Sequence, residues 1–409
     1  MPRLRPLAVR SALLAALLAA AACGGGDAAS TAITVDTLPG GIVRTIASAP
    51  VDSGHWALVR ARDLQPAEED SAEILKPEDL ALADDGSVLV VETSPASVRV
   101  YGPDGALQRV IGRTGDGPGE FRTAYIGLRG DTLVAQDPGN SRAQTFDWRT
   151  GRLLGARRTA CCYWSPIGLD RDGRVYARAI APPPDTTLRQ VQSYVRFALT
   201  GDAADTIFAQ ERQGVPTQRP WEVRRGKQLM MSMLVPLQPR AHFAVDPAGA
   251  LLTGWSGEYL IRVTRDGRDT VALFGRTGGA APVAAAEKQA FVDRQVTEMR
   301  TAMPNGPSEQ ELRVAFAMDA IPDVRPAYEA IHPDPAGRRW IRRSTPAGAA
   351  VVLDLFDAAG RWLDVVTVPA DGWPREAWRP VAFTARQVAV ILEGEDGRPF
   401  VRTYDIVRK

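Results

Sequence analysis

The chain has 409 residues, 45% hydrophobic and 24% charged, the balance of a globular protein with ample apolar material for a core, which argues against disorder. Its 49 Lys and Arg stand against 48 Asp and Glu, and a formal charge of +1 supplies no field that would draw nucleic acid.

At the N-terminus, Arg3, Arg5 and Arg10 precede an apolar run over 12–22 that is too short to span a bilayer, and small residues lead to Cys23. Residues 1–22 therefore read as a signal peptide. Cys23 followed by Gly24, Gly25 and Gly26 resembles the lipobox of bacterial lipoproteins. That resemblance implies cleavage before Cys23, acylation of its thiol, a flexible tether over 23–40 and an exported, membrane-anchored chain, periplasmic or on the outer membrane or cell surface. A plain secretory signal with an incidental cysteine is the alternative.

Two β-type runs follow, 42–46 and 56–60, with Pro50, Asp52 and Gly54 as the turn between them. Residues 82–121, LADDGSVLVVETSPASVRVYGPDGALQRVIGRTGDGPGEF, then show three short strands, two Asp/Gly turns and a glycine-rich loop. Weaker copies recur with strand pairs at 128–137 and 143–157, 169–179 and 194–209, 244–255 and 260–275, 332–343 and 353–368, and 383–394 and 401–409. The spacing fits four-stranded propeller units. Alternation such as Val98 and Val100 against Arg99 and Tyr101 suits strands with one face on the next sheet. No helices alternate with these strands, which argues against a parallel α/β fold.

The sixth copy lacks an outer strand, and an N-terminal run, 56–60 or 42–46, can supply it and leave no terminal edge open. The fold class expected for 41–409 is all-β, a six-bladed β-propeller closed by strands from both termini; seven blades is the alternative. Two insertions interrupt it. Residues 210–240 carry Arg224, Arg225, Gly226 and Lys227 beside Met230, Met231 and Met233, either an adaptable binding surface or an extra strand or short helix over a blade edge. The second, about 281–320, has helical spacing, with a break at Asn305, Gly306 and Pro307 and a cap at Ser308 with Glu311 three residues on.

The loop RTGDGPGEF at 113–121 resembles the NHL-repeat type of β-propeller, and its place after a lipoprotein signal resembles the secreted six-bladed propeller lipoproteins of bacteria. RTGG at 276–279 and PDVRPAYEAIHPDPAGRRWIRR at 322–343 are similar to the same group. The resemblance implies fold and leaves activity open, since these are turn and packing elements. A phosphate cradle would need a helix after the glycines, and 121–128 leads into a strand.

His242 and His332 fall on inner strands of neighbouring repeats with equal parity, hence on one face. Propellers such as paraoxonase-like hydrolases and streptogramin-type lyases place His and metal ligands around the channel, but a third and fourth ligand are not evident here. Asp84, Asp172, Asp246 and Asp334 recur before turn glycines; they are expected to cap their own turns, with a channel-bound calcium as the minor reading. Adjacent Cys161 and Cys162 allow a vicinal disulfide or two free thiols. Trp164, Arg178, Trp255, Trp340, Arg342 and Arg343 are candidates for lining a channel or rim. No catalytic motif is recognised and no cofactor is implied. The leading expectation is a monomeric binding or scaffolding module for a protein, peptide or glycan partner, held to the membrane by its lipid anchor alone. The competing one is a propeller lyase or hydrolase with a metal near His242 and His332.

Overall fold

Six antiparallel sheets stand side by side as the blades of a ring in the computed structural model, which describes residues 32–65, 72–159, 164–179, 192–199, 204–209, 220–265, 267, 269–278 and 281–409. Blade 1 comprises Pro77–Leu82, Val88–Thr93, Ala96–Tyr101 and Leu107–Ile111. Blade 2 comprises Tyr125–Arg129, Thr132–Asp137, Arg142–Asp147 and Arg152–Arg158. Blade 3 has Gly168–Leu169, Arg174–Ala179, Gln192–Ala198 and Ala204–Ala209, and blade 4 has Ala241–Val245, Leu251–Trp255, Leu260–Thr264 and Thr270–Arg276. Blade 5 is Ala330–Pro333, Arg339–Arg342, Val351–Phe356 and Trp362–Val368. Blade 6 takes Val381–Phe383, Gln387–Glu393 and Pro399–Arg408 from the C-terminus and its outer strand, Trp56–Leu64, from the N-terminus.

Burial explains why the middle strands are nearly continuous in apolar residues. Leu89, Val91, Val98 and Val100 pack towards blade 2, on Ile126, Leu133, Ala135 and Phe146. Val88, Val90 and Tyr101 point the other way, onto Ala389, Ile391 and Val401 of blade 6. The alternation expected to mark one buried face therefore marks two, each facing a different neighbour. Six such apolar clusters fill the six junctions between consecutive blades.

The closing pair registers Val401 against Leu64 through Arg408 against Trp56. Asp63 receives Arg402 Nε at 2.7 Å and Arg402 Nη2 at 2.8 Å across it. Blade 5 aims the clasp: Asp364 accepts from the amides of Gly54 at 2.9 Å and Trp56 at 2.7 Å. The other N-terminal run lies elsewhere. Ile42–Ala47 adds in parallel to the outer strand of blade 4 and pairs with Ile33–Leu38, so that sheet has six strands. Residues 33–38, within the stretch read as tether, are thus a strand of the ring's rim.

RTGDGPGEF is the joint between blades 1 and 2. Gly112 has φ +73°, and a Cβ there would sit 2.2 Å from the buried Phe121 ring. Blade 2 holds the loop through its backbone: Arg142 donates to the carbonyls of Asp116, Gly117 and Glu120, each at 2.8 Å, and Gln144 Oε1 accepts from Gly119 N at 2.8 Å.

Strand direction alternates, so the loops leading into each inner strand share one face of the ring, here the entry face, with the turns between second and third strands. Both insertions open on it. Residues 221–225 and 228–233 form a hairpin, and α1 (Ala285–Ala302) and α2 (Glu309–Ala315) are the expected helices, with the Ser308–Glu311 capping box formed. The two insertions share one core: Trp221, Val223, Val292, Val296, Leu312 and Phe316 are buried together. The methionine run is accordingly an added strand, with Met231 and Met233 against that core and Met230 facing outward.

The Arg402 hydrogen bond and charge hold the Asp63 carboxyl below its usual value. The ion pair therefore stabilises the fold above the ordinary carboxylate pKa and loses that effect as pH falls through the depressed one. Asp63→Asn should lower the unfolding free energy at pH 7 by about 1–3 kcal/mol. Denaturant titration checks this, and the gap between the two proteins should narrow as pH falls below the ordinary carboxylate range.

Candidate functional site in the axial channel

The inner strands of all six blades enclose a cavity of about 690 Å³ on the ring axis. Its wall runs from Asp79, Glu329 and Trp378 near the strand starts to Arg171, Pro247 and Pro335 at the turns that follow. Two close approaches keep it narrow beside blade 3. A Cβ on Gly168 would lie 2.3 Å from Val245 Cγ2 of blade 4, and one on Gly127 3.3 Å from Leu169 Cδ2.

His242 and His332 both line this cavity, as their parity requires. The His242 ring lies 5.0 Å from that of Tyr328, and His332 stacks on Phe383 at 5.9 Å with Trp373 at 6.5 Å. Burial, with Arg240 adding to it, pushes the His242 imidazole down to about 4. Burial first, then Arg342 and His242, push His332 down to about 3. Both rings are therefore neutral at pH 7, each with one donor and one acceptor nitrogen.

Glu329, at the start of the blade 5 inner strand, has its carboxyl raised by burial, against the pull of Arg342 and Arg240. Arg342 lies 3.2 Å from Glu329 and donates to the carbonyls of Pro374 at 2.9 Å and Arg375 at 2.7 Å. It thereby fixes the segment that brings Trp378, 68% exposed, and Arg379 to the channel mouth. Opposite, Asp79 bridges blades 1 and 2 by accepting from Leu80 N at 2.9 Å and Ile126 N at 2.8 Å, and burial raises its carboxyl to about 7. Tyr194 stacks on Phe243 with centroids 3.6 Å apart and completes an aromatic wall beside Arg178.

The other expected site residues divide. Arg178 lines the channel and Arg342 lies buried behind it; Trp164 is exposed and Trp255 half-buried, both outside the lining. Arg343 lies outside the channel lining. It donates to Asp354 at 2.8 and 2.5 Å, where Tyr259 at 2.6 Å and Arg276 at 3.0 Å converge from blade 4, a tie between blades. Trp340 is fully buried and donates from Nε1 to Asp334 at 2.9 Å. Cys23, Cys161 and Cys162 lie outside the described residues.

The recurring aspartates need a shift of register. Asp84 and Asp172 are exposed, whereas Asp170, 2% exposed, occupies the position of Asp246 and Asp334. Each serves its own turn: Asp170 accepts from Arg174 N at 2.8 Å, Asp246 from Ala248 N at 2.8 Å and Asp334 from Ala336 N at 2.9 Å. Among the described residues no three His, Cys, Asp or Glu side chains converge as ligands for one cation. Sequence reasoning missed Asp79, Glu329, Tyr194 and Trp378. Glu329 stands three residues from His332, beyond the reach of a period-two argument, and Trp378 sits in a loop.

No protein-family model and no curated protein matches the chain. Among solved structures, a DUF4221 family member from Bacteroides vulgatus superposes with a TM-score of 0.51 at 11% identity, covering 88% of this chain and 100% of that one, a likeness of fold. A Bacteroides fragilis protein, described as a candidate exported protein, gives 0.45 at 9% identity over 90% of this chain and 99% of that one. The PQQ-bound aldose sugar dehydrogenase of Streptomyces coelicolor gives 0.42 at 13% identity over 88% and 100%.

Because both channel imidazoles titrate below their ordinary value, the unfolded chain takes up protons first as pH falls below about 6.5. Stability should fall between there and pH 4 by up to about 1.4 kcal/mol per pH unit for each ring. Imidazole NMR on the folded chain should find His242 and His332 neutral at pH 5. A ring that protonates near its ordinary pKa would contradict the described burial.

Proposed function

We propose that the chain is an exported, lipid-anchored β-propeller that acts as a binding module and receives a polar segment of a glycan or peptide in its axial channel. The observation that carries this reading is the composition of the cavity wall. Neutral His242 and His332 offer uncharged donors and acceptors, Trp378 and the Tyr194–Phe243 stack offer flat apolar faces, and Arg178 and Glu329 offer charge at the edges. Such a mixture suits ligands with alternating polar and apolar faces, and the volume is that of an ordinary ligand site. The Cys23 anchor, as the lipobox resemblance has it, would keep this module at a membrane surface.

A glycan and peptide array probed with the purified chain tests the channel. Its ligand should bind about tenfold more weakly to Trp378→Ala, the effect of removing one stacking ring from a binding site. Ligands whose binding ignores Trp378→Ala and Arg178→Ala alike would refute the channel site. For the anchor, Cys23→Ala should move the protein from the detergent phase to the aqueous phase, and retention in detergent would refute it.

The two imidazoles on adjacent blades also favour a second reading, a lyase or hydrolase whose metal they would hold in part. It requires a third ligand that is not among the described residues. Elemental analysis after metal-replete purification decides this: less than about a tenth of an equivalent of zinc, calcium or iron removes the enzyme reading, since a catalytic site must be occupied.

A further inference from the structure

We infer that the shared core of the two insertions is a membrane-docking cap, seated on the anionic leaflet that holds the acyl anchor. Three observations converge on that occupant. The first is where the chain enters. Ile33 pairs with Ala47, and Ala47 pairs in parallel with Arg276, the last residue of the blade 4 outer strand. Ser48 N donates to Ala32 O at 2.7 Å at the same end. The described chain therefore begins on the entry face, at the blade whose inner strand follows one insertion and whose outer strand precedes the other.

The second is reach. Eight residues lie between Cys23 and Ala32, nine Cα steps that span at most about 30 Å of extended chain. An acylated Cys23 would tether the entry side of blade 4 within that distance of the bilayer, and both insertions open on that face. The third is the cap surface. Its core is satisfied by Trp221, Val223, Leu312 and Phe316, yet Val314 75%, Leu234 57%, Leu229 45%, Met230 45% and Met318 41% stay exposed around it. On the hairpin, Leu229 lies opposite Arg224, which pairs with Glu222 at 2.7 Å, and Arg225, whose charge acts on the Glu311 carboxyl, lies opposite Gln228 across the turn that carries Lys227. Apolar side chains beside that turn lysine match an anionic lipid interface, where the former enter the headgroup boundary and Lys227 meets phosphates. Seated this way, the cap leaves the Arg171, Pro247 and Pro335 end of the channel facing the aqueous compartment.

This inference rests on the anchor reading, and its test uses the unacylated mature chain, so that failure of docking and failure of acylation are distinguishable. The chain from Gly24 contains every described element, and 32–409 form one compact unit. It should co-float with vesicles of equal parts phosphatidylethanolamine and phosphatidylglycerol, and less with phosphatidylcholine alone. Leu229→Asp with Met230→Asp should cut the bound fraction about fivefold or more. Because these side chains are exposed, circular dichroism and the thermal midpoint should stay as in the parent. Val314→Asp gives an independent check on the helical side, and Lys227→Glu should weaken binding to the anionic vesicles alone. A parent chain that floats no more than these variants overturns the inference. So does a parent that sediments as a dimer dissolved by the same substitutions, which would assign the surface to a second copy.

Discussion

The structure depends on the pairing of Trp56–Leu64 with Pro399–Arg408. Each blade is apolar on both faces and so cannot stand at an end; it has to be covered twice, and a ring is the arrangement in which every blade is. Without the clasp, the Val88, Val90 and Tyr101 side of blade 1 and the Ala389 and Ile391 side of blade 6 would both lie open. The pairing joins residues more than 300 positions apart, and its loop-closure cost is offset only when all six junctions form together. Asp63, Arg402 and Asp364 give the closure a defined register, through charge-assisted bonds that a slipped strand could not make.

The channel is a consequence of that closure. Its wall is a set of inner strands, some as short as the two residues Gly168–Leu169, which would not hold together outside the ring. Within it, geometry decides chemistry. Imidazoles facing a narrow space lined by aromatic rings and arginines lose their protons, while a carboxyl such as Asp79, held by two amides in the same setting, gains affinity for one. Arg342 links the two scales, balancing Glu329 inside while fixing by its carbonyl contacts the loop that carries Trp378.

Much of the ring was legible in the sequence because repeats, Asp/Gly turns and period-two runs are local signals. The six units, the helical insertion with its Ser308 cap and the N-terminal supply of the missing strand all follow from them. What was not legible is set by contacts between distant segments. The parallel addition of Ile42–Ala47 to blade 4 leaves no local trace, since a parallel partner imposes no turn. Parity put His242 and His332 on one face but said nothing of depth, and depth fixes their protonation. Counting back from turn glycines selected Asp172 where the fold uses Asp170, because both can cap a turn and only the buried one meets Tyr176, whose hydroxyl donates to it at 3.0 Å. Arg343 reads as a surface cation until the Asp354 site that receives it is assembled from two blades.

Closure, channel and cap form one chain of dependence, in which the first makes the second and places the third. Amide hydrogen exchange on the native chain tests the first step most directly. If the clasp closes the ring, the amides of Trp56–Leu64 that pair with Pro399–Arg408 should exchange as slowly as those of Val88–Thr93 in blade 1, through global unfolding alone. Exchange of the clasp amides orders of magnitude faster than blade 1 would show an open ring, and would contradict the account.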